Sequence, residues 1–296
     1  MTGLSGSIRR LTEQASVLVA PNAGPMTLDG TNSYLLSVGV PDAGSTSAMA
    51  SGTASGTASR TAPAIVVDPG PDDPAHLAGL AEAGLVELIE AGLVELILIT
   101  HRHHDHTAGA LALAELTGAP VRAADPEHCV DAEPLRDGEI VSAAGVSLTV
   151  HATPGHTTDS VCFLLGGDGP TGSILTGDTI LGRGTTVIAH PDGRLGAYLD
   201  SLRLLVGLGN PLVLPGHGPM VPDLAAVSGQ YLAHREQRLA AVREAVRVIG
   251  ADASVQAVTD AVYTDIDSSV RPAAERSVAA QLDYLREERE AGAGRG

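Results

Sequence analysis

Short apolar runs recur along the chain, several of them closed by glycine, proline or aspartate. Val17–Ala20 and Ser33–Ser37 read as two strands separated by the turn-rich stretch Pro21–Thr31. Ile65–Val67 resumes the sheet and stops at Asp68-Pro69-Gly70. From Asp72 to Glu95 the spacing predicts a helix, and Leu96–Ile99 is a buried strand beyond it. A helix over His106–Thr117 then precedes a strand at Val121–Ala124. Further strands are predicted at Val146–His151, Val161–Leu165, Ser173–Thr176 and Leu212–Leu214, with a helix over Leu195–Leu208 before the last of these. Past Pro222 the pattern turns helical, and Leu232, Leu239, Val242, Val246 and Ile249 mark one apolar face. Runs of strands with helices between them imply mixed sheets covered by helices.

Two segments break this rhythm. Val40–Pro63 is dense in Gly, Ser, Thr and Ala, which bury too little surface to order themselves, so a flexible hairpin tip without catalytic function is expected over 40–63. Ala83–Glu90 reads AGLVELIE and Ala91–Leu98 reads AGLVELIL. A repeat of this length is too short for a solenoid unit and adds about two helical turns. The second copy of this 83–98 duplication must change structure, because it runs into the strand at Leu96.

Composition narrows the function. The 296 residues suffice for a large domain with its own core plus a small appendage, and 44% of them are hydrophobic. Aromatics make up only 2%, which disfavours a base-stacking platform. The formal charge is -17 and all 18 basic residues are arginine, so the global field opposes nucleic acid and anionic membranes. Cys129 and Cys162 form no CxxC, and Cys162 sits in an apolar run as a small buried thiol. The first residues, MTGLSGSIRRLTEQAS, lack an apolar signal core and no stretch is long enough to span a membrane; the expectation is a cytoplasmic protein without a membrane partner.

The chemistry concentrates in Thr100-His101-Arg102-His103-His104-Asp105-His106. In an extended chain residues two apart point the same way, so His101 and His103 can face one ion. Asp105 and His106, at the turn into the next helix, can reach a second. Four such side chains would be costly to bury unpaired, and a divalent cation such as zinc suits imidazole and carboxylate together. Three glycine-flanked residues follow at strand ends: His156 in TPGHT, Asp178 in LTGDT and His217 in LPGHG. Their glycines let the backbone approach closely and turn.

The set His-x-His-x-Asp-His, then His, Asp and His, resembles the metallo-β-lactamase superfamily from about Val17 to Pro219. The runs Met26–Leu35 and Tyr231–Arg235 further resemble its β-lactamase-like protein 2 subgroup. The resemblance implies an α+β fold: a four-layer αββα sandwich over residues 1–222, a connecting helix over 223–250 and a small, mostly helical winged-helix-like domain over 251–296. It implies two Zn2+ ions per chain, with iron or manganese as alternatives. His101, His103 and His156 would hold the first, Asp105, His106 and His217 the second, and Asp178 would bridge them. Such a centre implies hydrolysis by a metal-bridging hydroxide that Asp105 helps to orient.

Other histidines carry less. His104 points away from His103 in an extended segment, which makes it a surface or supporting residue. His190 reads either as a cleft residue or as a surface turn, and His76, His128 and His151 receive no role. His234 and Arg235 read either as a polar helix face or as substrate-binding groups at the mouth of the site. For the substrate, a small acyl ester or thioester is the leading expectation and single-stranded RNA the alternative. Acidic charge favours the first, the winged-helix-like tail the second. The oligomeric state is left open.

Overall fold

A computed structural model describes residues 7–38, 63–82 and 94–293. The insert at 40–63 (except Pro63) and residues 83–93 of the duplication lie outside the described residues.

Two sheets stack face to face. The first has the order β1-β2-β3-β4-β5-β6, built from Arg9–Arg10, Ala15–Val19, Asn32–Leu36, Ala64–Val67, Val94–Leu98 and Val121–Arg122. The second runs β11-β10-β9-β8-β7, from Leu212–Pro215, Ser173–Gly177, Val161–Leu165, Val146–Ala152 and Ile140–Ala143. Strands β4, β5 and β6 pair in parallel, as do β10 and β11; the remaining neighbours are antiparallel.

Alternation explains why most strands are apolar throughout. Tyr34, Leu36, Ile65, Val67, Leu96 and Leu98 of the first sheet meet Val161, Phe163, Leu165, Leu175 and Leu214 of the second between the sheets. The intervening Leu35, Val66 and Ile97 face outward under helices α1 (Pro74–Glu82) and α3 (Ala110–Thr117). Cys162, Ile174 and Val213 likewise face α4 (Leu195–Gly207) and α5 (Leu224–Ile249). Both faces of each sheet are covered, which yields the four-layer αββα sandwich. Burial pushes the Cys162 thiol up to about 11, as befits an inert core residue.

The C-terminal segment holds α6 (Val255–Val262) and α7 (Arg271–Ala293) and no strand among its described residues. Leu239 and Val242 of α5 pack there with Val258, Val278, Leu282 and Leu285, and with Leu195 and Leu199 of α4. Among the described residues no helix is long and apolar enough to cross a membrane.

Several local expectations need correction. The helix expected from Asp72 is observed only over Pro74–Glu82, and Val94 and Glu95 already belong to a strand that pairs with β4. The expected helix 106–117 is broken into α2 (His104–Thr107) and α3. Gly109 lies at the break because a Cβ there would come within 2.6 Å of Leu77 and 2.9 Å of the Pro71 carbonyl. Strand β7 goes unannounced because Ile140 and Ser142 face solvent and leave no continuous apolar run. Ile249, expected on the apolar face, is 45% exposed at the last residue of α5.

Candidate metal centre

The polar ends of several strands meet at one edge of the sandwich. His101 and His103 follow β5, His156 follows β8, Asp178 follows β10 and His217 follows β11, while α2 carries Asp105 and His106. His101 Nε2 lies 3.0 Å from His103 Nδ1, and His156 Nε2 lies 2.9 Å from the same atom. Beside them, His106 Nε2 and His217 Nε2 are 3.2 Å apart, and Asp105 Oδ2 is 3.1 Å from His217 Nε2. Asp178 sits between: Oδ1 is 3.4 Å from His217 Nε2 and 3.5 Å from His106 Nε2, and Oδ2 is 3.7 Å from His156 Nε2. His101, His103, His156 and Asp178 thus form one candidate ion site, and Asp105, His106 and His217 the other.

Four outward nitrogens face acceptors, which leaves the other nitrogen of each of those rings turned inward. His217 Nδ1–H donates to the Gly30 carbonyl (3.1 Å) and His156 Nδ1–H to the Val187 carbonyl (2.6 Å). His106 Nδ1–H donates to Asp68 Oδ2 at 2.8 Å. The Thr100 hydroxyl donates to Asp68 Oδ2 (2.7 Å), so its oxygen accepts from His101 Nδ1–H at 3.1 Å. Four rings therefore turn one nitrogen to the shared space with the other held by an acceptor, the arrangement that metal-bound histidines adopt. Inward-facing nitrogens at such separations repel unless a proton or a cation lies between them. Zn–N bonds of about 2.0–2.1 Å would set tetrahedral ligand edges near 3.3 Å, close to the spacing found. Asp178 Oδ1 is also buried without a hydrogen-bond partner, as an oxygen reserved for an ion would be. The donor set fits a divalent metal.

Electrostatics divides the cluster. Burial, reinforced by neighbouring imidazoles, holds His101 well below the usual histidine range and lowers His103 to about 4. Burial also lowers His156. Burial acts the same way on His106 and His217, but Asp68 and Asp178 outweigh it at His106, and Asp178 and Asp105 at His217, so both are raised. Against its own burial, Asp178 is held far below the usual carboxylate range by His217 and His106; Asp105 is lowered by the same two rings.

Residues outside the expected set build the frame. Asp68, which reads in sequence as a plain turn residue, ends β4 at φ 52° and accepts from Thr100 N (2.8 Å), the Thr100 hydroxyl and His106. Its only sequence signal is a carboxylate closing a strand beside the histidine segment. In the Met26–Leu35 run, Asn32 Nδ2 donates to the carbonyls of Pro215 (2.8 Å) and Gly218 (2.9 Å), and the Tyr34 hydroxyl to Pro215 (2.7 Å). That run clamps the His217 loop. Gly216 in this loop has no room for a side chain: a Cβ would lie 2.8 Å from both Asp178 Oδ1 and His106 Cε1.

The remaining candidates separate. His104 is exposed, and Arg102 turns away from the cluster to pair with Asp125, Asp159 and Asp192 at 3.0, 3.2 and 3.5 Å. His190 stands in a turn, as one of its two readings expects, and pairs there with Asp283 of α7 at 2.7 Å. Arg235 is no polar helix face: it is buried, lies 5.3 Å from the Tyr198 ring and donates to the Thr186 carbonyl. Thr186 in turn donates to the Asp178 carbonyl at 2.6 Å. His234 is half-buried and lines a cleft together with Arg235.

Residues 60–217 match the model of the metallo-beta-lactamase superfamily, and residues 254–291 match that of the beta-lactamase associated winged helix domain. Lactamase-like protein nscB of Neosartorya fischeri is 32% identical over 77% of this chain, which spans 60% of that relative's length. The beta-lactamase-like protein 2 homolog of Caenorhabditis elegans is 29% identical, over 94% of this chain and 86% of its own. The crystal structure of a metallo-beta-lactamase family protein from Thermus thermophilus superposes with a TM-score of 0.69 at 23% identity, covering 93% of this chain and 94% of that one. This last likeness is one of fold.

Proposed function

The chain belongs to the metallo-beta-lactamase superfamily, whose members are metal-dependent hydrolases, and from that premise we propose that it cleaves a small acyl ester or thioester at a dinuclear zinc centre. The observation that carries the reading is the inward convergence of imidazole nitrogens and of both Asp178 oxygens on two adjacent points. His101, His103 and His156 would hold one ion and Asp105, His106 and His217 the other, with Asp178 reaching both. Bound there, such a pair supplies Lewis acidity and a water whose pKa falls to about 7.

The protein's own groups then have defined tasks. Asp105 is partly exposed at the cluster and held ionised by His217 and His106, so it accepts a hydrogen bond from the attacking water and orients it. The water oxygen bonds to the acyl carbon, the C–O or C–S bond breaks, and the departing alkoxide or thiolate takes up the proton. Asp68, the Gly30 carbonyl and the Val187 carbonyl hold His106, His217 and His156 in place throughout, which limits reorganisation during the reaction.

A second reading, hydrolysis of single-stranded RNA, draws on the match to a winged helix domain over 254–291. The net charge of -17 and scarcity of aromatics weigh against it. One assay separates the two. Zinc-loaded protein is offered acyl thioesters, aryl esters and single-stranded RNA, each with and without chelator. Chelator-sensitive thioester or ester hydrolysis, abolished in His103→Ala with the circular dichroism spectrum retained, is the expected result. Cleavage of RNA alone would replace the acyl substrate with the second reading.

A further inference from the structure

A cleft of about 320 Å3 opens where the C-terminal helices meet the loops that support the metal-facing histidines. Met26, Thr186 and Val187 line one side, His234, Arg235 and Arg238 of α5 the floor, and Tyr263, Ile266 and Val270 the far wall. Its charge is unlike that of the rest of the chain. In a protein of net charge -17, the cleft lining contains two arginines and a histidine but no Asp or Glu. Among the described residues neither arginine has a carboxylate partner within salt-bridge distance. Asp265 and Asp267 flank Ile266 but are exposed and lie outside the lining. The Arg238 guanidinium is steadied over the Tyr263 ring, 5.0 Å from its centroid, so its fork is held without being neutralised.

The other surface of the cleft is apolar. Met26 is 53% exposed and Val270 38%, and Ile266, Ala273 and Ala274 continue the same wall. A fixed, unpaired guanidinium beside exposed aliphatic side chains complements a ligand that is anionic at one point and aliphatic next to it. The position matters as much as the chemistry. Val187 lines the cleft while its carbonyl accepts from His156, and Thr186 lines it while its hydroxyl donates to the Asp178 carbonyl. Met26 belongs to the loop whose Gly30 carbonyl accepts from His217. A ligand here is one residue layer from the metal-facing groups.

We propose that this cleft is a substrate subsite for an anionic terminus, a carboxylate or a phosphate held by Arg238 with His234 beside it, and that the adjoining aliphatic part of the substrate lies on Met26, Ile266 and Val270. The preferred substrate is therefore an acyl ester or thioester whose far end carries a negative charge. Arg235, tied to Thr186 and stacked on Tyr198, adds positive charge and fixes the floor. This assignment rests on the acyl-hydrolase reading for the identity of the bond cleaved, and on the cleft alone for the charge.

The test reads binding and turnover separately. Metal-free, full-length protein is titrated calorimetrically with hexyl phosphate, hexanoate and hexanol; the first two distinguish phosphate from carboxylate, and the third carries no charge. At least one anion binds the wild type more tightly than hexanol, Arg238→Gln weakens that binding about tenfold, Arg238→Lys weakens it less, and His103→Ala leaves it unchanged. With zinc-loaded protein, matched thioesters bearing neutral, carboxylate-ended and phosphate-ended thiol arms are compared. Arg238→Gln raises KM for the preferred anionic arm about tenfold, preserves kcat and leaves the neutral arm unaffected. Equal binding of hexanol and both anions, or anion binding indifferent to Arg238, overturns the subsite. Arg238-dependent anion binding without hydrolysis of any ester or thioester would instead remove the acyl-hydrolase reading and leave the cleft assignment standing. Hydrolysis indifferent to the charge of the arm would do the reverse.

Discussion

Around one oxygen of Asp178, His101, His103 and His156 face inward with neutral groups behind them: the Thr100 hydroxyl behind His101 and the Val187 carbonyl behind His156. Around the other oxygen, His106 and His217 stand beside Asp105, and a second carboxylate, Asp68, lies behind His106. The first half is depressed in basicity and ready to accept a cation as three neutral rings. The second is a network of imidazoles and carboxylates that keeps itself together by charge before any ion arrives. The contrast teaches that one cluster presents two different candidate ion sites, and that Asp178 alone has an oxygen beside the rings of each.

Removing that shared residue has the largest expected effect. In Asp178→Asn both sites lose an anionic oxygen, so elemental analysis finds less than one full zinc equivalent per chain, and hydrolysis falls by more than the roughly 10–100-fold typical of a lost supporting group. A variant that keeps both equivalents contradicts the bridging role. Asp68→Asn sharpens the comparison because Asp68 touches His106 directly and His101 only through the Thr100 hydroxyl. Competition with a chromophoric chelator should show affinity falling about 10–100-fold for one of two equivalents and by less for the other. Equal weakening of both would erase the distinction.

Smaller effects fall on the frame. Asn32→Ala takes the shared donor from the Pro215 and Gly218 carbonyls, leaving Pro215 the Tyr34 hydroxyl, and costs about 1–3 kcal/mol in urea unfolding of the metal-free protein. Gly216→Ala crowds Asp178 and His106 and costs a similar ~1–3 kcal/mol, with metal content reduced as well. A loss of stability with normal metal content would mean that the loop accommodates the methyl elsewhere.

The smallest effect is one of pH. In metal-free protein His103 stays neutral down to about 4, whereas His106 stays protonated above the usual histidine range. An unfolded histidine titrates near 6.5. His103 therefore subtracts stability as pH falls below about 6.5, and His106 contributes stability that is complete below about 6.5 and lost as pH rises through its folded value. Imidazole nitrogen shifts report both rings, and titration of both near 6.5 would show the two halves to be electrostatically alike.

The same contrast explains what is legible in the sequence. The groups that the structure brings together stand out because metal-type side chains are dense at 101–106 and recur beside glycines at strand ends. Strands whose two faces are both buried, such as Ile65–Val67 and Val161–Leu165, are legible as apolar runs. Asp68 is not legible, because its role depends on β4 lying parallel to β5, a pairing that brings distant chain segments together and leaves only an ordinary Asp-Pro-Gly turn in the sequence. The Asn32 clamp is visible only as part of a resemblance, since its partners are backbone carbonyls nearly two hundred residues away. The helix break at Gly109 is hidden too, as it answers to Leu77 and Pro71 rather than to local propensity. The cleft charge depends on which of 18 arginines lack acids nearby, a property of the fold rather than of composition.

Anomalous diffraction at the zinc edge from crystals of zinc-loaded protein tests the two-site account most directly. The account requires two peaks: one touching the inward nitrogens of His101, His103 and His156, the other touching Asp105, His106 and His217, with one Asp178 oxygen on each. A single peak shared among these side chains, or density that leaves Asp178 unbound, would contradict it.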